Sequence, residues 1–197
     1  MSLPNIVFLD RATIPSQIEL PHLPFDHQWI EYDFTSPDQI LDRLKDAHVV
    51  ITNKVVLDRD VLSQLPDLQL IAVSATGFNN IDVDYCEQHG IAVTNVQGYS
   101  TQSVPEHVIA MIFALRRNLM AYHNDIAKGE WQRHKQFCFF THPIGDVAGS
   151  TLGIVGSGAL GQATATLAKA IGMQVIFAER KGAQQCREGF TPFEQML

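Results

Sequence analysis

The stretch GIVGSGALGQ, from Gly153 to Gln162, constrains the fold of this chain more than any other. Its glycines at 156, 158 and 161 sit between the apolar run TLGIVG and a segment in which Leu160, Ala163, Thr164, Leu167, Ala168 and Ile171 recur at helical spacing. Strand, tight turn and helix in that order make an anion-gripping turn. Gly156 permits the turn, Gly158 lets a pyrophosphate approach the backbone, and Gly161 lets the helix lie close to the strand. The amides that open the helix, at Gly158, Ala159 and Leu160, have no helical partners and attract the anion. Gly172 is placed to end that helix, and QVIFA predicts a second strand closing on Glu179, 18 residues after Gly161. An acid at that place accepts hydrogen bonds from adenosine ribose hydroxyls, which favours NAD, while the neighbouring Arg180 and Lys181 leave NADP open.

The chain before this turn alternates apolar runs of strand length with amphipathic segments. NIVFLD, HQWIEYDF, AHVVITN, LQLIAVSAT and IAVTNV are the runs. SPDQILDRLKD, LDRDVLSQLPD and VDYCEQHG lie between the later ones, each with Asp or Ser near its start. That alternation predicts an α/β fold with a parallel sheet over residues 1–99. Ser103-Val104-Pro105-Glu106 reads as a capping box, so a helix is expected to start there. Val104, Val108, Met111, Ile112, Leu115, Leu119 and Tyr122 then form one apolar stripe, which predicts a single helix of about five turns. From Lys128 to Val147 the pattern breaks into an aromatic and basic arm, GEWQRHKQFCFFTHPIGDV from Gly129 on. Such an arm suits a subunit interface in a homodimer, or packing on its own chain.

Composition narrows the partners. A net charge of −7 with no Lys/Arg run argues against nucleic acid and against an anionic membrane surface. The start of the chain lacks a secretory pattern and no run is long and apolar enough to span a bilayer, so a cytoplasmic protein with a small soluble ligand is expected. Cys86, Cys138 and Cys186 are too scattered for a disulfide framework. His134, Cys138 and His142 recur every four residues, but FCFF and Pro143 argue against a metal-binding helix, and no metal site is expected.

SATGFNNID at 74–82, STQSVPEHVIAMIFALRRN at 100–118, GSTLGIVGSGALGQ at 149–162 and VIFAERKGA at 175–183 together resemble the D-isomer-specific 2-hydroxyacid dehydrogenases, and most of all their glycerate dehydrogenase (hydroxypyruvate reductase) branch. The resemblance implies a flavodoxin-like substrate domain over residues 1–99. It also implies that residues 100–197 hold an interdomain helix, the arm and the first strand-helix-strand part of a Rossmann NAD(P)-binding domain. It assigns the substrate carboxylate to the backbone amides of Ala75, Thr76 and Gly77, with Thr76 also near the cofactor, and Lys54 is a candidate for added positive charge there. The implied reaction reduces a small 2-keto acid such as hydroxypyruvate or glyoxylate. The family's catalytic arginine, glutamate and histidine come from the part of the nucleotide domain after the second strand. The chain reaches Leu197 before any of them, so the expectation is a dehydrogenase by family whose 197 residues contain no catalytic group and are inactive alone. The competing expectation is a non-catalytic dinucleotide-binding or subunit-pairing regulator.

Overall fold

In the computed structural model, which describes residues 3–196, the chain divides into two compact units that meet between Tyr99 and Ser100. The first unit is built on five short strands: β1 (Asn5–Phe8), β2 (Gln28–Glu31), β3 (Val49–Thr52), β4 (Leu70–Val73) and β5 (Ala92–Asn95). All pair in parallel, in the order β2-β1-β3-β4-β5, which is the flavodoxin-like order. The helices α1 (Ile40–Leu44), α2 (Arg59–Leu62) and α3 (Val83–His89) carry the chain between the later strands. Asp58 and Asp82 start α2 and α3 by accepting the amides of Val61 (3.0 Å) and Tyr85 (2.9 Å), so the acids seen in the sequence are real caps. Ile40, Leu44, Leu62 and Cys86 of the helices pack with Val7, Val50, Ile71 and Val73 of the strands in one core. Burial in that core pushes the Cys86 thiol up, with Asp82 adding to the effect.

The connection between β1 and β2 contains only a short 3-10 turn at Arg11–Thr13, although a parallel pair needs a crossover. Its Pro15, Pro21 and Pro24 break any continuous helix.

The second unit contains α4 (Ser103–Arg116), α5 (Leu119–Ala127), α6 (Glu130–His134), β6 (Thr151–Val155), α7 (Ala159–Ala170), β7 (Gln174–Ala178), β8 (Phe190–Thr191) and α8 (Phe193–Met196). Its sheet is parallel in the order β6-β7-β8. Ile109 and Ile112 of α4 pack on Ala168, Met173 and Val147, which sets the helix against α7 and the start of the sheet.

Three sequence expectations need correction here. Ser103 lies inside α4 rather than capping it; the N-cap is Gln102, with no side-chain cap bond, because the preceding turn already supplies Ser100 and Gln102 carbonyls to the amides of Val104 and Glu106. The expected single helix is two. Asn118 adopts a left-handed backbone (φ 49°), which Asn tolerates better than most residues, and its Nδ2 donates to the Pro143 carbonyl. The arm is sewn to this break on its polar side. Gly145 N donates to Arg116 O (2.8 Å), Arg117 pairs with Asp146 (2.8 Å), and His142 Nε2 meets Asp125 Oδ2 (2.9 Å). The arm also contains a helix, α6, which ends at His134 with Lys135 in a left-handed conformation. His134 and His142 therefore do not share a helix.

Candidate functional site

In the first unit the chain leaves β3 and β4 side by side at the carboxyl edge of the sheet, with Thr52 in register with Val73. This places Asn53-Lys54 next to the turn Ser74-Ala75-Thr76-Gly77. The turn is held by its outward-facing acceptors: Val96 N donates to Ala75 O (3.0 Å) and Asn95 Nδ2 to Thr76 O (2.8 Å). Thr76 Oγ1 donates to Val96 O (2.9 Å). The amides of Ala75, Thr76 and Gly77 find no acceptor among the described residues. Three successive amides with no internal acceptor are a place for a carboxylate.

Lys54 is exposed on the loop after β3, where it shares a pocket with Asp10, Thr13, Phe34 and Thr35, and the course of that loop depends on Asp10. Asp10, at the end of β1 and 5% exposed, accepts from Asn53 N (2.9 Å), Lys54 N (2.7 Å) and Thr52 Oγ1 (3.3 Å). Thr52 Oγ1 in turn accepts Val55 N (3.0 Å). Three consecutive loop amides are thus turned toward the domain interior, and what the loop offers outward is the Lys54 side chain. Asp10 looked like the polar end of an apolar run; its role could be suspected only from an acid placed where a buried strand leaves the sheet.

In the second unit, β6 delivers the chain to the glycine turn and α7 leaves it. Gly156 has φ 101°, a conformation side chains disfavour. A Cβ at Gly161 would lie 2.1 Å from the Gly156 carbonyl oxygen, so the helix is as close to the strand as a backbone allows. A Cβ at Gly158 would meet nothing within 4 Å, which leaves open space beside the backbone where a pyrophosphate belongs. Gly158, the N-cap of α7, brings no side chain to satisfy the first-turn amides, including those of Ala159 and Leu160. These features fit the phosphates of a dinucleotide.

Beside this turn a pocket of about 440 Å³ is lined by Gly156, Ser157, Glu179, Arg180, Lys181, Arg187 and Phe193, among others. The expected ribose residue Glu179 is here, but it is already engaged. Its Oε1 accepts Arg180 N (2.8 Å) and Arg187 Nη2 (2.8 Å), and its Oε2 accepts Arg187 N (2.9 Å) and Arg187 Nε (2.7 Å). The Arg187 guanidinium, then the Arg180 and Arg187 amides, hold the Glu179 carboxyl down at about 2. Lys181 reaches back over the Phe193 ring, with Nζ 5.8 Å from its centroid. Spacing identified Glu179, Arg180 and Lys181; Arg187 went unnoticed because the loop before β8 carries no periodicity.

A pH dependence follows. The folded carboxyl titrates near 2 instead of the usual 4.5, so its stabilisation is complete above about pH 4.5 and is lost as pH falls from there through 2. Urea unfolding of wild type and Glu179→Gln between those limits is expected to show two midpoints that converge as pH falls. Parallel midpoints would mean that the carboxyl is not held down.

A family model described as the catalytic domain of D-isomer specific 2-hydroxyacid dehydrogenases matches residues 6–187. A Haemophilus influenzae relative, described as a 2-hydroxyacid dehydrogenase, is 52% identical over 193 residues, covering 98% of this chain and 61% of its own length. The glycerate dehydrogenase of Methylorubrum extorquens is 45% identical over 173 residues, covering 87% of this chain and 54% of its own. Among solved structures, the D-lactate dehydrogenase of Aquifex aeolicus, complexed with NAD and lactic acid, superposes with a TM-score of 0.68 at 27% identity, over 98% of this chain and 54% of that one. An NADPH-dependent glyoxylate/hydroxypyruvate reductase of Sinorhizobium meliloti shares the fold, with a TM-score of 0.64 at 21% identity, over 96% of this chain and 57% of that one. The chain therefore spans little more than half the length of the relatives it matches. With a family model matching residues 6–187 and a relative 52% identical over 98% of its residues, the chain belongs to the D-isomer-specific 2-hydroxyacid dehydrogenases.

Proposed function

We propose that these residues are the substrate-anchoring and dinucleotide-anchoring part of a cytoplasmic NAD(P)-dependent oxidoreductase that reduces a small 2-keto acid, such as hydroxypyruvate or glyoxylate, to its 2-hydroxy acid. The observation that carries this reading is the row of amides at Ala75, Thr76 and Gly77 without internal acceptors. Ala75 is 6% exposed, and a buried amide without an internal acceptor calls for one from a ligand, while Thr76 and Gly77 beside it are exposed to one. The cofactor, when bound, supplies the hydride. The residues of this chain grip its phosphates through the turn at 156–161 and hold the substrate carboxylate at 75–77, with Lys54 adding charge. Relatives of this chain are named for glycerate, hydroxypyruvate and glyoxylate, which supports small 2-keto acids as the substrate class.

The catalytic arginine, glutamate and histidine of the family are expected outside these residues. The 197-residue chain alone should therefore bind adenine nucleotide yet fail to oxidise NADH or NADPH with either keto acid, because a positioned proton-transfer group is worth roughly 10²–10⁴ in rate. Extending it with the segment of the Haemophilus influenzae relative that lies beyond the matched region should restore turnover. A folded chimaera that binds nucleotide but reduces neither acid would remove the proposed activity.

We also propose that the partner is a second copy, paired through the arm and the helices beside it. The support is exposure: Phe137 is 88%, Phe140 83% and Leu115 76% exposed, while the polar side of the arm is spent on its own chain. Light scattering should report a dimer, and Phe137→Ser with Phe140→Ser a monomer; an unchanged mass would remove the arm from the interface.

A further inference from the structure

Within the dinucleotide reading proposed above, we infer that Arg187 sets the cofactor preference of this chain, and sets it for the 2′-phosphorylated dinucleotide. A carboxylate offers about four lone-pair positions, and those of Glu179 are filled by two backbone amides and the Nε and Nη2 groups of one guanidinium. A ribose hydroxyl has no acceptor to use until Arg187 leaves. Leaving is costly, because the pair is bidentate and Glu179 is only 5% exposed.

Arg187 is also fixed from the other side. Its guanidinium carbon lies 3.9 Å from the centroid of the Phe190 ring, and its carbonyl accepts Phe190 N at 3.1 Å, tying it to the start of β8. A guanidinium has five N–H donors, and two of them are spent on Glu179, which leaves three on a group whose side chain is 52% exposed. The pocket wall thus presents Arg180, Lys181 and Arg187 against one carboxylate whose charge is already cancelled. Glu179 does not repel a phosphate in this arrangement; it orients the cation that receives one.

The test is calorimetric titration of the 197-residue chain with NADP⁺ and NAD⁺ separately. Wild type should bind NADP⁺ at least tenfold more tightly than NAD⁺. Arg187→Met, which keeps the stem over Phe190 but removes the donors and charge, should invert the ratio, since Glu179 becomes free to accept the ribose hydroxyls. Adding Glu179→Gln to Arg187→Met should remove that gain in NAD⁺ affinity. Arg187→Lys, with the charge but no fork, should fall between. It also serves as the second variant should Arg187→Met unfold, which circular dichroism checks. Tighter binding of NAD⁺ by wild type, or an unchanged ratio in folded Arg187→Met, overturns the inference and leaves the dinucleotide reading standing. Failure of folded wild type to bind either cofactor sinks both.

Discussion

Gly161→Ala is expected to lower dinucleotide affinity by roughly ten- to a hundredfold and to destabilise the second unit. The new methyl would sit 2.1 Å from the Gly156 carbonyl oxygen and 3.2 Å from its carbon. A backbone carbonyl cannot rotate aside as a side chain would, so the first turn of α7 must lift off β6. Overpacking of this kind costs about 1–3 kcal/mol, and each ~1.4 kcal/mol withheld from the bound geometry is tenfold in affinity. Gly158→Ala is the control that separates fold from ligand. Its methyl meets nothing, so thermal unfolding should stay at the wild-type midpoint while nucleotide affinity falls, because the methyl occupies the space left for the pyrophosphate. Wild-type melting and titration curves for Gly161→Ala would show that α7 does not need its closeness to β6.

Asp10→Ala should have the largest effect in the first unit, on the order of 3 kcal/mol of lost stability. Removing the carboxylate leaves the amides of Asn53 and Lys54 without their acceptor and Thr52, itself fully buried, without the partner for its hydroxyl. The Thr52 hydroxyl is buried and the two amides partly so, and a buried donor left unsatisfied costs about 1–3 kcal/mol. Asp10→Asn keeps an oxygen and should recover part of that loss. The functional consequence is distinct from the stability one: with the loop released, Lys54 loses its fixed place after β3, and, if it adds charge to the proposed substrate site, the affinity of the chain for a small dicarboxylate probe such as oxalate should fall even below the melting temperature. Equal oxalate affinity in wild type and Asp10→Ala would detach Lys54 from substrate binding.

Local patterns carried most of the architecture. The inner strands β1, β3 and β4 follow from their apolar runs, because a strand buried in a parallel sheet must be apolar along its length; the edge strands β2 and β5 are more exposed and show by their flanking turns, and Asp58 and Asp82 announce their helices through cap chemistry. The three glycines near residue 160 were legible for the same reason, since each meets a steric demand that no other residue satisfies. The helix break at Asn118 was not legible. The apolar stripe continues across it, and the cause lies 25 residues on, in the Pro143 carbonyl that the Asn118 side chain reaches. Strand β8 has two residues, too short for alternation to show, and exists because β7 offers an edge to Phe190 and Thr191. Asp10 and Arg187 share a further difficulty: each acts by hydrogen bonds to a segment distant in sequence, so neither spacing nor periodicity marks it.

The order of strands in the first unit bears on how the chain comes to be folded at all. Of the five strands of this unit β1 is synthesised first, yet it lies inside the sheet, and its Val7 pairs with Val50, 43 residues later. At synthesis rates of about 5–20 residues per second, the run Ile6-Val7-Phe8-Leu9 waits for several seconds for β3, with only the exposed edge strand β2 emerging in between. No strand of this unit can pair with its neighbour through a tight hairpin, so the first productive contact closes a long loop, which makes nucleation slow. The most deeply buried strand is therefore also the segment of the nascent chain that most needs shielding from aggregation.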